Sequence, residues 1–220
     1  MEETTSRSAA VRDGLGVGLA VGLSGLAFGA AAITAGLSVP QACVLSLLAF
    51  TGASQFALTG AVGAGGDLVA AALGALLLGG RNTLYGLRLA DLLQVRGPRR
   101  LLAAHGVIDE TTAVALAQPT PKAARTGFAV TFAALYITWN LATLAGAYGT
   151  SFLGDPGALG LDVVGPVAFL AILWPRLTAS AELRGLAAGA AVIALCATPF
   201  FPSGVPVLLS AAAVLVVMFR

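Results

Sequence analysis

Charged and chemically reactive side chains are scarce in this sequence. Only 10% of its 220 residues are charged and 58% are hydrophobic, whereas soluble domains carry roughly 25% charged residues. Together with a mean hydropathy of +0.92, this composition indicates an integral membrane protein. The net charge of +2 gives no reason to expect a nucleic-acid partner, because basic residues in the loops of a membrane protein are explained by its orientation.

The two cysteines and single histidine leave little material for a metal site. Cys43 and Cys196 lie in or beside apolar runs, with no His or Cys at metal-binding spacing. His105, Asp109 and Glu110 form a small titratable cluster, but these three residues offer too few ligands for a metal. The chain also lacks a phosphate loop, a nucleophile elbow and a pair of catalytic carboxylates. We therefore expect no metal and no cofactor, and an enzyme is the less favoured class of function.

The apolar runs are long and show no alternation of polar and apolar residues, which argues against a transmembrane β-barrel and for helices. We predict an all-α integral membrane protein, a polytopic helical bundle with broken or re-entrant helices in its N-terminal half. A single membrane domain is expected over 1–220, with a disordered or interfacial polar segment at its start. The predicted parts are the polar segment 1–13, the broken-helix region 39–94 and regular spans over 127–219, at about 127–149, 161–175, 183–198 and 206–219.

The first apolar run, from Leu15 to Leu37, is longer than the core of a secretory signal, so it is interpreted as a retained helix over about 14–36. Glycines recur in this run at three- and four-residue spacing, at Gly14, Gly18, Gly22, Gly25 and Gly29. Small residues on one face allow another helix to approach closely. We therefore expect this face to pack against protein.

Two stretches interrupt the region 39–94: Gly-Ala-Ser-Gln at 52–55 and Gly-Gly-Arg-Asn at 79–82. Backbone groups at membrane depth need partners inside the protein, and many secondary transporters bind their substrates at broken helices. We expect Pro40 in the first turn of a helix that ends near Thr51. Three further segments complete this region, and Asp67 is expected to cap the one at 68–79. These segments are predicted at about 56–64, 68–79 and 81–94.

The basic turns 95–100 and 119–125 are predicted to be cytoplasmic by the positive-inside rule. The segment 101–118 between them is too polar for an ordinary span and is expected to form a re-entrant or interfacial helix. In the C-terminal half, alternating spans would place Arg176, Arg184 and Arg220 in the cytoplasm and Asp155 outside.

The orientation of the N-terminus depends on the broken region. If 39–64 and 67–94 both cross the membrane, the N-terminus lies outside, and we favour this arrangement because it needs no special device. The alternative places the N-terminus inside, with one net crossing through re-entrant halves.

Arg81 follows an apolar run, and an arginine at bilayer depth costs about 2.5–3.5 kcal/mol. It should therefore have a partner, for which Asp91, Asp109 and Glu110 are candidates. The carboxylate of a bound substrate would also match its forked guanidinium. Tyr85 lies four residues later on the same helical face.

Ser54 and Gln55 lie where a half-helix begins, so the N–H groups of residues 55–57 could hold an anion such as an amino-acid carboxylate. A glycine kink whose freed carbonyls are satisfied by Ser54 explains the same residues. Asn140, near the middle of the span 127–149, is either a substrate ligand or a hydrogen-bonding contact between helices.

His105 and Asp109 are four residues apart, so a continuous helix would place them on one face. Together with Glu110 they could relay protons in a proton-coupled carrier. A solvated cytoplasmic face accounts for the same three residues.

Four stretches resemble the AzlC, or azaleucine-resistance, family, which is the large subunit of branched-chain amino acid exporters. They are GASQFA at 52–57, LLLGGRNTLYGLRLADLL at 76–93, IDET at 108–111 and YITWNLATLAGAYG at 136–149. The matching residues include Gln55, Phe56, Arg81, Tyr85, Gly86, Asp109 and Glu110. The sequence departs from the family pattern at Gly79, Asn82 and Arg88, where Asn, His and a small polar residue are common.

The resemblance implies a multi-pass plasma-membrane exporter of hydrophobic, branched-chain amino acids, partnered by a small AzlD-type membrane subunit in the lipid bilayer. The titratable residues at 105–110 favour coupling to protons. The expected substrate ligands are Ser54, Gln55, Phe56, Arg81, Tyr85 and Asn140, and the expected proton relay is His105, Asp109 and Glu110. Two other classes stay open: a membrane-embedded enzyme that acts on a lipid, and a scaffold subunit without transport activity.

Overall fold

The computed structural model describes residues 2–153, 167, 170, 173–174, 177–201, 205–210, 212 and 213. Within these ranges the regular secondary structure is helical, as predicted. Three helical segments are long and apolar enough to cross a membrane: Ser6–Thr34, Leu68–Leu93 and Pro121–Ser151. The all-α membrane fold is therefore confirmed.

The helices are α1 (Glu2–Gly22), α2 (Gly25–Thr34), α3 (Val39–Leu48), α4 (Ala53–Gly63), α5 (Leu68–Gly79), α6 (Arg81–Leu93), α7 (Arg99–His105), α8 (Asp109–Leu116), α9 (Pro121–Ser151), α10 (Ala181–Ala197) and α11 (Val205–Ser210). The predicted spans 161–175 and 206–219 lie largely outside the described residues. Asp155, Arg176 and Arg220 lie entirely outside them.

The first membrane span consists of α1 and α2, which follow each other after a short turn. Helix begins at Glu2, so the disorder considered for residues 1–13 is not observed. The glycine face packs against α9, as predicted. A Cβ atom on Gly18 would lie 2.7 Å from the Cβ of Ala134, and one on Gly29 would collide with the carbonyl oxygen of Thr143. Only glycine lets the two backbones come this close.

The first span and α9 run parallel to each other. Gly14 lies beside Thr131, whereas Gly29, one span-length further on, lies beside Thr143 and Ala147. The chain must therefore return across the membrane an odd number of times between α2 and α9.

Helices α3 and α4 do not provide that return, because they enter and leave on the same side. Ser38 and Gln41 form a capping box at the start of α3, with Pro40 in the first turn as expected. The helix ends at Leu48, earlier than the predicted Thr51, and the chain reverses over 49–52. Helix α4 then returns to α2, where a Cβ on Gly63 would lie 3.1 Å from the Cβ of Ala35. A ten-residue helix is about 15 Å long, which is half the thickness of the hydrocarbon core.

The return crossing is made by α5 and α6. Asp67 caps α5 by accepting a hydrogen bond from the N–H of Ala70 at 2.9 Å, as predicted. The expected break at Gly79-Gly80 is much weaker than predicted, because Gly80 keeps a helical backbone (φ −57°, ψ −28°). At its far end α6 meets the start of α9, where the Nε of Arg125 donates to the carbonyl of Leu92 at 2.9 Å.

The segment predicted as one helix over 101–118 forms two, α7 and α8. The Oγ1 of Thr111 donates to the carbonyl of Gly106 at 2.6 Å and accepts from the N–H of Ile108 at 3.1 Å. These bonds hold the turn between the helices. The turn lies beside Phe132, and α8 then runs back toward Gly127, near the start of α9. Of the two arrangements expected, the re-entrant one is therefore observed, in the form of a hairpin.

Arg7, Lys122 and Arg125 line one pocket, so the N-terminus and the basic turns around 95–100 and 119–125 share one side of the membrane. The positive-inside rule places that side in the cytoplasm. The favoured prediction of an external N-terminus is therefore wrong, because 39–64 does not cross. We call Val39–Gly63 the outer hairpin and Arg99–Leu116 the inner hairpin.

Candidate functional site

The tips of the two hairpins meet near the middle of α9. Phe50 lies at the outer tip and His105 at the inner tip, and their ring centroids are 6.0 Å apart. Tyr136 of α9 contacts both rings, at 5.0 Å from Phe50 and 5.6 Å from His105. Phe132 completes this aromatic cluster. The tips of the two hairpins are thus in contact through aromatic rings at one depth of α9.

Gly52 makes the outer tip possible, because its backbone (φ +57°, ψ −89°) lies in a region that residues with a Cβ rarely adopt. Gln55 stabilises the turn from inside the protein. Its Oε1 accepts from the N–H of Gly52 at 3.1 Å, and its Nε2 donates to the carbonyl of Leu45 at 3.2 Å.

The predicted anion site at this tip does not form in the way we expected. The N–H groups of Gln55 and Phe56 donate to the carbonyl of Gly52 at 3.0 and 3.1 Å, so neither faces a cavity. The reason is that α4 begins at Ala53, which turns these amides into ordinary helix donors. The carbonyl of Leu45 accepts from the N–H of Ala49 at 2.9 Å and also from Gln55, so Gln55, and not Ser54 as the alternative had it, is the side chain that bonds the backbone of this turn.

Ser54 and Phe56, also predicted as substrate ligands, are buried in the packing of the outer hairpin. Ser54 lies against the end of α5, where a Cβ on Gly79 would be 3.3 Å from its Oγ. Phe56 packs edge-on against Phe28 and Trp139, with centroid distances of 5.6 and 6.4 Å. The contact with Gly79 brings the two interrupted stretches of the sequence together at one depth.

Arg81 lies at this depth as the first residue of α6, and it pairs with Asp109, the first residue of α8. The Nη2 of Arg81 is 2.8 Å from the Oδ2 of Asp109. Asp109 is thus one of the three partners considered for Arg81. Both side chains remain partly accessible, at 32% and 24%. The Nε of Arg81 is buried and has no hydrogen-bond partner among the described residues.

An open pocket of about 430 Å³ leads to this ion pair between α1, α6 and α8. Its lining consists of Val17, Tyr85, Asp109, Glu110, Thr112, Ala113 and Val114. Helix α8 descends from Asp109 toward the cytoplasmic start of α9, so the pocket lies in the cytoplasmic half. Tyr85 and Glu110, both predicted site residues, are therefore next to Asp109.

Thr112 was not identified from the sequence. It is only 6% exposed, and its Oγ1 has no hydrogen-bond partner within the described part of the chain. A buried hydroxyl is usually paired, so an unpaired one on a pocket wall is a candidate ligand. The one available signal was its position two residues after the acidic pair, in Asp-Glu-Thr-Thr.

His105 does not share a helical face with Asp109, so that prediction is wrong. Helix α7 ends at His105 and α8 begins at Asp109. The histidine ring packs among aromatic rings, whereas Asp109 pairs with Arg81. No continuous helix therefore arranges these residues as a relay.

Asn140 lies on α9 one turn after Tyr136, and its Nδ2 donates to the carbonyl of Tyr136 at 2.8 Å. Its Oδ1 and the Nε1 of Trp139 are buried without a hydrogen-bond partner among the described residues. Asn140 does not line the cytoplasmic pocket. Its predicted role as a substrate ligand therefore has no geometric link to the Arg81–Asp109 pair.

A search of the described residues for three or more His, Cys, Asp or Glu side chains that could hold a metal ion gives none. Cys43 and Cys196 are free thiols.

A family model described as AzlC protein matches residues 16–153, a range that contains the larger part of the span Ser6–Thr34, the whole of the spans Leu68–Leu93 and Pro121–Ser151, and both hairpins. Comparisons with curated proteins and with solved structures found no match. Because the family model covers more than half of the chain, the protein belongs to the AzlC family, and it is a membrane transport protein.

Proposed function

We propose that this protein exports hydrophobic, branched-chain amino acids across the plasma membrane in exchange for protons. The observation that carries the proposal is the Arg81–Asp109 pair at 2.8 Å, placed at the inner end of a pocket that opens in the cytoplasmic half. An exporter must load its substrate from the cytoplasm. Charged side chains at mid-membrane depth are costly in free energy, so a charged pair there indicates a functional site.

The charges of the pocket match those of a free amino acid. The guanidinium of Arg81 would bind the substrate carboxylate, using donors that Asp109 does not engage. The carboxylates of Asp109 and Glu110 would attract the substrate ammonium. Tyr85 and Val114 supply apolar wall for an aliphatic side chain, and each buried CH₂ group stabilises binding by about 0.8 kcal/mol.

Proton exchange follows from the same carboxylates. In the ionised form, Asp109 and Glu110 hold the substrate ammonium, and protonation from outside removes that attraction and releases the amino acid. The protonated site then returns to the cytoplasmic side and loses its proton there. Substrate and proton thus exclude each other, which makes the carrier an antiporter.

We also propose a small AzlD-type membrane subunit as partner, packed on α5 and α6. Only 6% of the apolar window of the span Leu68–Leu93 is buried, against 39% and 33% for the other two spans. Leu76 and Leu77 are among its most exposed side chains. Arg88 and Asp91 are also exposed, near the end of this span where Leu92 contacts Arg125. A protein partner with matching polar groups would cover them.

The test is counterflow of labelled leucine into liposomes that contain the purified protein, with and without the small subunit. Arg81→Lys keeps the charge but loses the fork, and we expect it to insert normally and lose most counterflow. Arg88→Lys, the same change on the exposed part of the same helix, is the matched control. Wild-type counterflow by Arg81→Lys would refute the ligand role. No counterflow at all with the small subunit present would favour a scaffold or a lipid enzyme.

A further inference from the structure

A second pocket, of about 330 Å³, lies at the cytoplasmic end of the protein and is separate from the transport site. It is lined by Arg7, Thr120, Lys122, Ala123, Arg125 and Thr126. Three cationic side chains and two hydroxyls thus surround it, and no carboxylate among the side chains that the structure describes belongs to its lining. The cations come from two helices that are far apart in sequence, α1 and α9.

The pocket lies at the depth of the lipid headgroups. Tyr136 marks the middle of the membrane, where the hairpin tips meet, and Arg125 precedes it by eleven residues on the same helix. At 1.5 Å per residue this places Arg125 about 16 Å from the middle. The hydrocarbon core ends about 15 Å from its centre, so the pocket is at the boundary with the cytoplasmic headgroups.

Arg125 is held in place by neutral acceptors. Its Nε donates to the carbonyl of Leu92 at 2.9 Å and its Nη2 to the Oε1 of Gln94 at 2.8 Å. Neither acceptor carries a charge, so these bonds fix the guanidinium without neutralising it. The start of α9, a 31-residue helix, adds the partial positive charge of a helix N-terminus.

We propose that this pocket binds an anionic phosphate group, and that the headgroup of an anionic phospholipid in the cytoplasmic leaflet supplies it. Arg and Lys donors suit phosphate oxygens. Thr120 accepts from the N–H of Ala123 at 3.2 Å and can still donate its hydroxyl hydrogen to such an oxygen, whereas the hydroxyl of Thr126 already donates to the carbonyl of Lys122 at 3.1 Å. Basic pockets between helices on the cytoplasmic side are suited to such headgroups. The positive-inside rule accounts for basic residues on this side, but not for their convergence on one cavity. A bound headgroup would join the start of α1 to the start of α9. The proposal is independent of the transported substrate.

The experiment measures the thermal unfolding temperature of the full chain in phosphatidylcholine vesicles, with or without phosphatidylglycerol. We expect phosphatidylglycerol to raise it for the wild type. Arg7→Gln/Lys122→Gln should lose at least half of that increase. Both side chains are exposed, so the variant should fold. The control is Arg12→Gln, since Arg12 lies on the same helix, pairs with Asp13 and does not line the pocket; this variant should keep the increase.

Inorganic phosphate added to the phosphatidylcholine vesicles shows whether the bound phosphate group comes from a phospholipid headgroup or from free phosphate. No increase with inorganic phosphate supports the phospholipid. If inorganic phosphate raises the unfolding temperature as much as phosphatidylglycerol does, and the double variant loses this increase, the pocket binds phosphate but the lipid is not its source. If the double variant and Arg12→Gln respond to phosphatidylglycerol alike, the pocket is not a binding site and the proposal fails.

Discussion

The outer and inner hairpins reach the same depth from opposite sides, but they use their polar residues differently. In the outer hairpin, Gln55 is 1% exposed and both ends of its amide bond to the backbone of that hairpin. In the inner hairpin, Asp109 bonds outside its own element, to Arg81, and stays partly accessible. A polar side chain at membrane depth is therefore a functional candidate mainly when its partner lies on another element and a pocket reaches it.

The two hairpins also reverse the chain by different means. The outer tip uses a positive φ at Gly52, where an added Cβ would meet only Trp139, at 3.8 Å. The inner tip has an ordinary backbone at Gly106 (φ −85°, ψ 0°), but a Cβ there would lie 2.6 Å from the ring of Phe132. Glycine is thus required for conformation at one tip and for space at the other.

The largest effect should come from the charge of the inner hairpin. We expect Asp109→Asn to lower pH-driven leucine export at least about tenfold, equivalent to about 1.4 kcal/mol, because the amide takes up no proton. Leucine exchange without a pH gradient should continue, but with a higher KM for leucine, because only Glu110 then attracts the substrate ammonium. Both rates would be measured in liposomes, with Glu110→Gln beside it to show which carboxylate couples.

Should both variants keep pH-driven export at the wild-type rate, the two carboxylates are a solvated face and the coupling lies elsewhere. Loss of exchange together with export in Asp109→Asn would instead assign Asp109 to holding Arg81 in place.

The second effect concerns the outer tip. Gly52→Val should destabilise the protein by about 1–3 kcal/mol, the cost of holding a non-glycine residue in a disfavoured backbone region. Transport should fall with it, because the two tips share one aromatic contact. Thermal unfolding in detergent and leucine counterflow measure the two effects. An unchanged unfolding temperature would mean that the tip does not hold the observed conformation.

Local patterns in the sequence were sufficient for the parts of the fold that depend on neighbours along the chain. The glycine spacing from Gly14 to Gly29 predicted a packed face, and Asp67 predicted a helix start, because both follow from helix periodicity and capping. The return of α4 to α2 was not predictable in this way. It depends on the contact between Gly63 and Ala35, which no local pattern encodes.

The candidate site was predictable in its residue types but not in its pairing. An arginine in an apolar run needs a partner, but this argument does not choose between Asp91, Asp109 and Glu110. The choice of Asp109 is made by the tertiary structure, which brings it against Arg81. The helical relay failed for a local reason. Gly106 followed by an acidic first turn indicates that one helix ends and another begins. This signal argues against a continuous helix from His105 to Asp109, which the relay required.

A third effect is expected at the inner tip. Gly106→Ala should cost about 1–3 kcal/mol, the usual range for overpacking, because the added Cβ would lie 2.6 Å from the Cγ of Phe132, and that ring packs against Phe50 and Tyr136. Gly52→Ala is the matched comparison, because its Cβ has space but its backbone is strained. Unfolding temperatures of the two alanine variants measure the two costs. An unfolding temperature that is unchanged in Gly106→Ala would show that the inner tip does not need glycine for space.

The smallest effect should come from Thr112, and its neighbour Thr111 provides the control. Thr112→Val keeps the shape but removes a hydroxyl that has no partner in the described part of the chain. Its loss should therefore leave the unfolding temperature unchanged or slightly raised. If that hydroxyl bonds the substrate, its loss removes about 0.5–1.5 kcal/mol of binding, a rise in the KM for leucine of roughly two- to tenfold. Thr111→Val removes the bonds that hold the inner turn, so it should lower the unfolding temperature instead. A KM unchanged in Thr112→Val, with both variants folded, would remove Thr112 from the pocket's candidate ligands and leave Tyr85, Asp109 and Glu110 as the polar side chains of its lining.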